Sequence, residues 1–185
     1  TNSNLPRDVA VRSVLPLTPR FHARHSAIAR CYRYLIAAGP ERPALWRDRA
    51  GWNHAALDAA AMQRGAHHLL GERDFSAFRS ADCQSRTPMR RVDDITVSES
   101  SGWVRIDVTG NAFLHNMVRI IAGTLIAVGR GERAPEWVGD VLAAGDRRLA
   151  GVTARAEGLY FLGPRYPAGI DLPVPRAEEA FPPVG

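Results

Sequence analysis

The sequence predicts an α+β fold with an antiparallel sheet, and three observations support that prediction. Residues 31–38 alternate between an apolar side and a mixed side, which is the period of a β-strand. Residues 92–98 and 103–109 alternate in the same way around a short turn, so they predict a β-hairpin. Residues 113–128 are apolar on nearly every side, which indicates a buried helix.

Turn and capping signals predict the remaining elements. Asn53 can cap a helix and Gly71 stands where a C′ glycine belongs, so a helix is expected between them. The further expected elements are a strand over 8–15, a helix over 53–70, a shorter helix opened by Pro135 and ended by Gly145, and a last strand over 158–163.

From Cys31 onward the order of these elements is strand, helix, strand, strand, helix, strand, with the Pro135 helix inserted before the last strand. This order is the ferredoxin-like split βαβ arrangement, which has an antiparallel sheet. Several RNA-recognition folds share the topology, but topology alone does not assign a function.

The composition is that of a soluble globular protein. Of the 185 residues 45% are apolar, and no run approaches the roughly 18 to 20 apolar residues of a membrane span. The first residues lack the apolar core of a signal peptide, and Cys31 and Cys83 stand apart from each other. A cytoplasmic protein with reduced cysteines is therefore expected.

The charge of the chain suits a polyanionic partner. The net charge is +5, the sequence pI is near 10.0, and all 24 basic residues are arginine. Guanidinium groups bind phosphates bidentately and stack on bases, so this surplus is compatible with RNA binding. A compositional bias of the source combined with a solvated surface explains the charge equally well.

Arg119 is the most unusual residue, because it stands in the middle of the apolar segment 113–128. Burying an unpaired guanidinium costs several kcal/mol, so this group should meet a carboxylate, a phosphate or a water-filled cleft. The structural alternative is an internal salt bridge to Asp107 or Glu157.

Two further segments have the composition of a nucleic-acid contact. Residues 21–34 interleave three arginines with aromatic residues, as single-stranded RNA contacts do, although Tyr34 is better explained as a core residue. Residues 83–91 form a polar, basic loop between a helix and a strand, where ligand contacts concentrate. The histidines lack metal-ligand spacing and no phosphate-binding glycine motif is present, so neither a metal nor an organic cofactor is expected.

Seven ordered segments of the sequence form a recognisable pattern. They are Phe21-His22-Ala23-Arg24, Tyr32-Arg33-Tyr34, Asp74-Phe75-Ser76-Ala77-Phe78-Arg79, Cys83-Gln84-Ser85-Arg86-Thr87-Pro88, Gly110-Asn111-Ala112-Phe113-Leu114-His115, Met117-Val118-Arg119 and Ala156-Glu157-Gly158-Leu159-Tyr160. Together they resemble the tRNA pseudouridine synthase A family over almost the whole chain. Small departures occur at Cys31, Asn116 and Ile120.

The resemblance implies a cofactor-free isomerase that converts uridine to pseudouridine in the anticodon stem-loop of tRNA, at positions thirty-eight to forty. It implies that Tyr32 stacks on the flipped uracil, that Arg119 pairs with the catalytic aspartate, and that Leu159 forms an apolar wall of the pocket. Such a pocket suits a base that leaves its stack, and a fixed guanidinium keeps a carboxylate ionised. The family's aspartate lies in a Gly-Arg-Thr-Asp-Ala-Gly type segment, which this sequence does not contain.

The resemblance also predicts the organisation and the partners of the chain. Residues 1–20 would be the end of an N-terminal half with its connector, residues 21–167 the C-terminal pseudouridine synthase domain, and residues 168–185 a Pro-rich tail. A homodimer is expected, and so is inactivity of this chain alone. The residues expected to hold the tRNA stem-loop by its phosphates are Arg24, Arg30, Arg33, Arg86, Arg90 and Arg91. A non-catalytic RNA-binding module and a generic basic α+β domain are the alternatives.

Overall fold

The computed structural model describes residues 2–170 and 172, and this part of the chain forms one six-stranded sheet with three α-helices. The strands are β1 (Ala29–Ala38), β2 (Gly51–Asn53), β3 (Gly71–Asp74), β4 (Met89–Ser100), β5 (Trp103–Gly110) and β6 (Leu159–Arg165). The helices are α1 (Ala59–His67), α2 (Met117–Gly129) and α3 (Trp137–Ala144).

The strand order confirms the predicted fold class. The sheet runs β2-β1-β5-β4-β3. The strands β6 and β2 both pair with the same edge of β1, β6 with the first part of β1 and β2 with the last part. The four strands β6, β1, β5 and β4 are mutually antiparallel neighbours, as the ferredoxin-like arrangement requires. Only β2 pairs in parallel within the described residues, so the sheet is largely antiparallel.

The hairpin between β4 and β5 is closed by two residues with left-handed backbone. Ser101 has φ 51° and Gly102 has φ 79°, which is the pattern of a type I′ turn and matches the twist of the paired strands. The Glu99 carboxylate accepts a hydrogen bond from the Gly102 amide at 2.9 Å. The hairpin predicted from the sequence is therefore confirmed.

One face of the sheet carries the core. Tyr34 and Ile36 on β1 and Ile106 on β5 are fully buried, and α1 and α2 cover them. On α2, Ile120 and Leu125 are completely inaccessible, as the apolar composition of that segment predicts. This arrangement places α2 directly above the strands that carry the candidate site.

The strand expected over 8–15 does not form in the structure. This segment makes no ladder with another strand in the described residues, and instead the Asn2 side chain bonds to both backbone groups of Val11. Its apolar side chains are exposed, Val14 to 82%. A strand also needs a neighbouring strand to pair with and a core to cover its apolar face, and residues 8–15 meet neither among the described residues.

All three helices begin later than the sequence suggested, and α3, expected to be opened by Pro135, begins at Trp137 after Glu136 at the N-cap. The helix expected over 53–70 is α1, and Asp58 rather than Asn53 caps it by accepting the Ala61 amide at 2.8 Å. Asn53 lies in β2, where its side chain donates to a backbone carbonyl. The helix expected from residue 113 begins at Met117, because Asn116 has left-handed backbone with φ 60°.

The C-terminal signals were correct in part. The helix expected to end at Gly71 ends at His67 with His68 as its C-cap, and Gly71 is instead the first residue of β3. Gly145 ends α3 with φ 65°, the conformation for which glycine is favoured. The last strand, expected over 158–163, is β6. The Pro-rich tail over 168–185 lies almost entirely outside the described residues. None of the helices in residues 2–170 has the length and apolarity needed to cross a membrane.

Tyr34 provides a prediction for alkaline stability. Burial raises its pKa to about 12, and its hydroxyl donates to the Arg155 carbonyl at 2.8 Å. Between about pH 10 and about pH 12 the folded state therefore binds more protons than the unfolded chain, so stability falls as pH rises through this window. We expect Tyr34→Phe to flatten that decline, measured as the free energy of urea unfolding against pH. An equally steep decline in the variant would contradict it.

Candidate functional site

Tyr32 lies among aromatic side chains near the start of β1. Its ring packs edge-on against Phe113, with 5.3 Å between ring centroids, and in a tilted arrangement against Phe161, with 5.1 Å between centroids. Tyr32 is half-buried, and burial raises its pKa while the nearby Arg30 opposes that effect. Phe161 is 55% exposed although it is a large apolar residue. The cluster therefore offers aromatic surface to solvent at the edge of the core.

Leu159 shares this face of the sheet. In the β1–β6 register Tyr32 is opposite Phe161 and Tyr34 is opposite Leu159. Residues two apart on a strand point to the same face, so Tyr32, Leu159 and Phe161 lie on one side. Leu159 is half-buried and packs against the core.

Arg119 lies on α2, the helix that packs against this face. Its Nε donates to the Ala154 carbonyl at 2.7 Å and its Nη1 donates to the Asn116 side-chain oxygen at 3.0 Å. The residue is half-buried rather than enclosed. Nη2 has no hydrogen-bond partner among the described residues, so one side of the guanidinium can receive an anion.

The salt bridges considered for Arg119 are not formed. Asp107 accepts two hydrogen bonds from Arg33, at 2.7 and 2.8 Å, and Glu157 pairs with Arg155 at 2.8 Å. The Arg155 hydrogen bond is the main cause that lowers the pKa of Glu157 to about 2, and the charge of Arg119 adds a smaller effect in the same direction. Arg119 is thus held by two neutral acceptors in the described part of the chain.

The six candidate RNA-binding arginines fall into two groups in the structure. Three of them are engaged by groups of the protein itself. Arg33 is only 5% exposed and forms its bidentate pair with Asp107. Arg30 donates to the carbonyls of Ala27, Arg24 and Asn111 at 2.6 to 2.9 Å. Such contacts organise the fold more than they present charge to a partner.

Arg90 belongs to the same inward group. Its guanidinium donates to the carbonyls of Thr87 and Met89 and to the Ser85 hydroxyl. From the other side, Arg79 donates to the carbonyls of Cys83 and Ser85 at 2.7 and 2.8 Å. Two arginines therefore shape the loop over 83–88 from within.

The other three arginines, Arg24, Arg86 and Arg91, are exposed. Arg91 has one carboxylate partner, Asp93, at 2.6 Å. The Asn111 side chain accepts the Arg91 amide at 2.9 Å, and the Asn111 carbonyl accepts Arg30 at 2.7 Å. These contacts bring the start of β1, the start of β4 and the end of β5 together at one end of the sheet. We call the exposed set Arg24, Arg86 and Arg91 the basic end.

The sequence did not identify every residue that shapes this site. Phe113 and Phe161 complete the aromatic cluster, and Asn116 and Ala154 hold Arg119. Phe161 could have been found from its two-residue spacing to Leu159. The role of Ala154 could not, because its carbonyl is a backbone group and carries no sequence signal. No cluster of potential metal ligands occurs in residues 2–170.

Comparison with known proteins identifies the family. A family model described as tRNA pseudouridine synthase matches residues 66–167. Relatives named tRNA pseudouridine synthase A include one from Methylibium petroleiphilum, 49% identical over 94% of this chain, and one from Vibrio cholerae, 49% identical over 93%. One from Klebsiella pneumoniae is 50% identical over 94%.

The chain is shorter than these relatives. It spans 66% of the Methylibium protein, 65% of the Vibrio protein and 64% of the Klebsiella protein. The matched region begins in α1 and runs through the last strand, so it includes Arg119 and Leu159. With the α+β fold and the ordered motifs, these matches show that the chain belongs to the tRNA pseudouridine synthase family.

Proposed function

We propose that this chain is the C-terminal part of a tRNA pseudouridine synthase that acts on uridine in the anticodon stem-loop, at positions thirty-eight to forty. The observation that carries the proposal is Arg119, a half-buried guanidinium with two neutral acceptors and one side open. A protein that needed only a stable core would not keep a charge in this position, because desolvating it costs free energy. This arrangement suits an ionised carboxylate that takes part in the reaction.

The reaction assigns a role to each neighbouring group. The bond between ribose C1′ and uracil N1 breaks, a bond from C1′ to C5 forms, and the C5 proton leaves while N1 gains one. The base must leave its stack for this exchange, so an aromatic plane and an apolar wall are useful beside it. Tyr32 would provide the plane, and Leu159 would provide the wall.

In this proposal the carboxylate comes from a segment that is not in the present sequence, and Arg119 keeps it ionised. The direct test is release of tritium from C5-labelled tRNA after a polypeptide that carries the aspartate loop is added. The proposal also includes a homodimer that acts in the cytoplasm. Sedimentation of the purified protein measures whether the dimer forms.

The basic end would hold the phosphates of the tRNA. Arg24, Arg86 and Arg91 are exposed and lie at the end of the sheet where β1 and the Tyr32 cluster begin. A stem-loop must be held by its backbone while one base is removed from the stack. Arg30, Arg33 and Arg90 would support this surface through their internal contacts.

We expect the triple substitution of Arg24, Arg86 and Arg91 by Ala to weaken tRNA binding and to flatten its dependence on salt. Each lost phosphate contact lowers the slope of log affinity against log salt by roughly 0.7 for a single strand and by roughly 0.9 for a B-form duplex. Filter binding at several salt concentrations measures both quantities.

A matched control removes the same charge elsewhere. Arg42, Arg47 and Arg64 are exposed, and the first two follow the opposite end of β1. Their substitution by Ala should change affinity and slope much less. Equal effects of the two triple variants would indicate a diffuse charge attraction instead of a tRNA surface at the basic end.

A further inference from the structure

A short segment crosses α2 in direct backbone contact. This segment, residues 151–154, is called the strap. A Cβ atom on Gly123 would overlap the Val152 carbonyl oxygen, and one on Gly151 would lie 2.6 Å from the Thr124 Cα. Side chains at these two positions would push the strap away from the helix. The two glycines therefore allow the strap to lie on the backbone of α2.

The strap holds the guanidinium of Arg119. Its last residue, Ala154, donates its amide to the Arg119 carbonyl at 3.0 Å and accepts the Arg119 Nε at 2.7 Å. The side chain of Val152 in the middle of the strap is 85% exposed, so burial of that residue does not fix the segment. The position of the Ala154 carbonyl must depend on the hydrogen bonds and backbone contacts of the strap.

Thr124 makes the hydrogen bond at the other end of the strap. Its hydroxyl accepts the Gly151 amide at 3.0 Å and donates to the Ile120 carbonyl at 2.8 Å. The side chain is completely buried, and both hydrogen-bonding capacities used here are satisfied. From the outer side, Arg147 donates to the Gly151 carbonyl at 3.1 Å and to the Thr153 hydroxyl at 2.8 Å.

We propose that Thr124 is a positioning residue that acts through the strap to fix the guanidinium of Arg119. Thr124 and Arg119 lie on the same helix, and the four successive residues of the strap connect them. Loss of the anchor at Gly151 would let the strap lift and take the acceptor of Arg119 Nε with it. The proposal rests on the proposed function only where it gives Arg119 a role in the reaction.

The test uses the Nε–H resonance of Arg119 in the 185-residue chain, assigned by its absence in Arg119→Lys. In Thr124→Val, which keeps the shape of the side chain, hydrogen exchange of this Nε–H should become about tenfold faster, because its acceptor is displaced. Thr124→Ser restores the hydroxyl and should restore slow exchange. Unchanged exchange in the valine variant would overturn the proposal.

A second buried threonine provides the matched control. Thr109 on β5 is 7% exposed and its hydroxyl donates to the Cys31 sulfur, away from the strap. Thr109→Val should leave the Arg119 resonance unchanged, and an equal acceleration there would mean a general loosening of the fold. If Thr124→Val does not fold, Thr124→Ala removes the same hydroxyl anchor with a smaller side chain. Slow exchange in that folded variant would also overturn the proposal.

Turnover provides the readout that depends on the reaction. In the protein completed with the aspartate-bearing segment, Thr124→Val should lower kcat on the order of tenfold and leave the KM for tRNA unchanged. Faster Nε–H exchange with unaltered kcat would show that Thr124 does not position Arg119 for the reaction. Absence of turnover in the unsubstituted protein would instead contradict the proposed function and leave the exchange result in place.

Discussion

The 185-residue chain alone is expected to release no tritium above background from C5-labelled tRNA. The reaction needs a carboxylate at the ribose C1′ position, and the family provides it from a Gly-Arg-Thr-Asp-Ala-Gly type segment that this sequence lacks. The carboxylates nearest to the matched motifs already form ion pairs, Asp107 with Arg33 and Glu157 with Arg155. Robust release by the chain alone would mean that another carboxylate takes this role.

Addition of a polypeptide that carries the aspartate loop should restore turnover and raise the melting temperature together. A partner that binds only the folded state stabilises it by mass action, by about 2.7 kcal/mol at a free concentration one hundred times its Kd. A loop polypeptide with Asn in place of the aspartate is the control. It should bind without restoring turnover, which separates assembly from chemistry.

Asn116→Asp is expected to lower the turnover of the completed protein strongly. The Asn116 side-chain oxygen accepts Arg119 Nη1 at 3.0 Å, so a carboxylate in its place would form an ion pair with Arg119 inside the chain. This pair would compete with the catalytic aspartate, and we expect kcat of the completed protein to fall on the order of 100-fold. The chain alone should become more stable by about 1 kcal/mol, because the hydrogen bond becomes charge-assisted.

Asn116→Gly separates the charge from the backbone requirement. Asn116 has φ 60°, a conformation that glycine adopts without strain, so the variant removes the side-chain oxygen and adds no charge. It should lower kcat far less than the aspartate variant and should not stabilise the chain. Similar kcat values for the two variants would show that an extra carboxylate beside Arg119 does not matter.

The elements predicted correctly were those whose signal is local. The alternation of β1, the β4–β5 hairpin and Gly145 at the end of α3 each depend on neighbours in the sequence. The strand expected over 8–15 failed because a strand needs a partner that periodicity does not show. The short strands β2 and β3 were not expected for the related reason that each depends on pairing with β1 or β4.

The sequence predicted which charged residues belong to the candidate site better than it predicted which groups they contact. Arg119 was conspicuous because a cation in an apolar helix is unusual. That Arg33 faces Asp107 follows from the register of β1 and β5, in which the two residues are direct partners. Register was unknown at the level of sequence, so Arg33 was grouped with arginines that are exposed. The roles of Arg119, Tyr32 and Leu159 in the reaction stay predictions.

The contacts of Arg30 have a consequence for how this part of the molecule opens. One guanidinium joins the loop that contains Arg24 and Ala27 to the turn at Asn111, and all three acceptors are backbone carbonyls. Carbonyl acceptors are neutral, so added salt does not compete for them as it competes for phosphate contacts. We therefore expect the loop and the turn to open together as one unit, and to keep their order at ionic strengths that would release a bound nucleic acid.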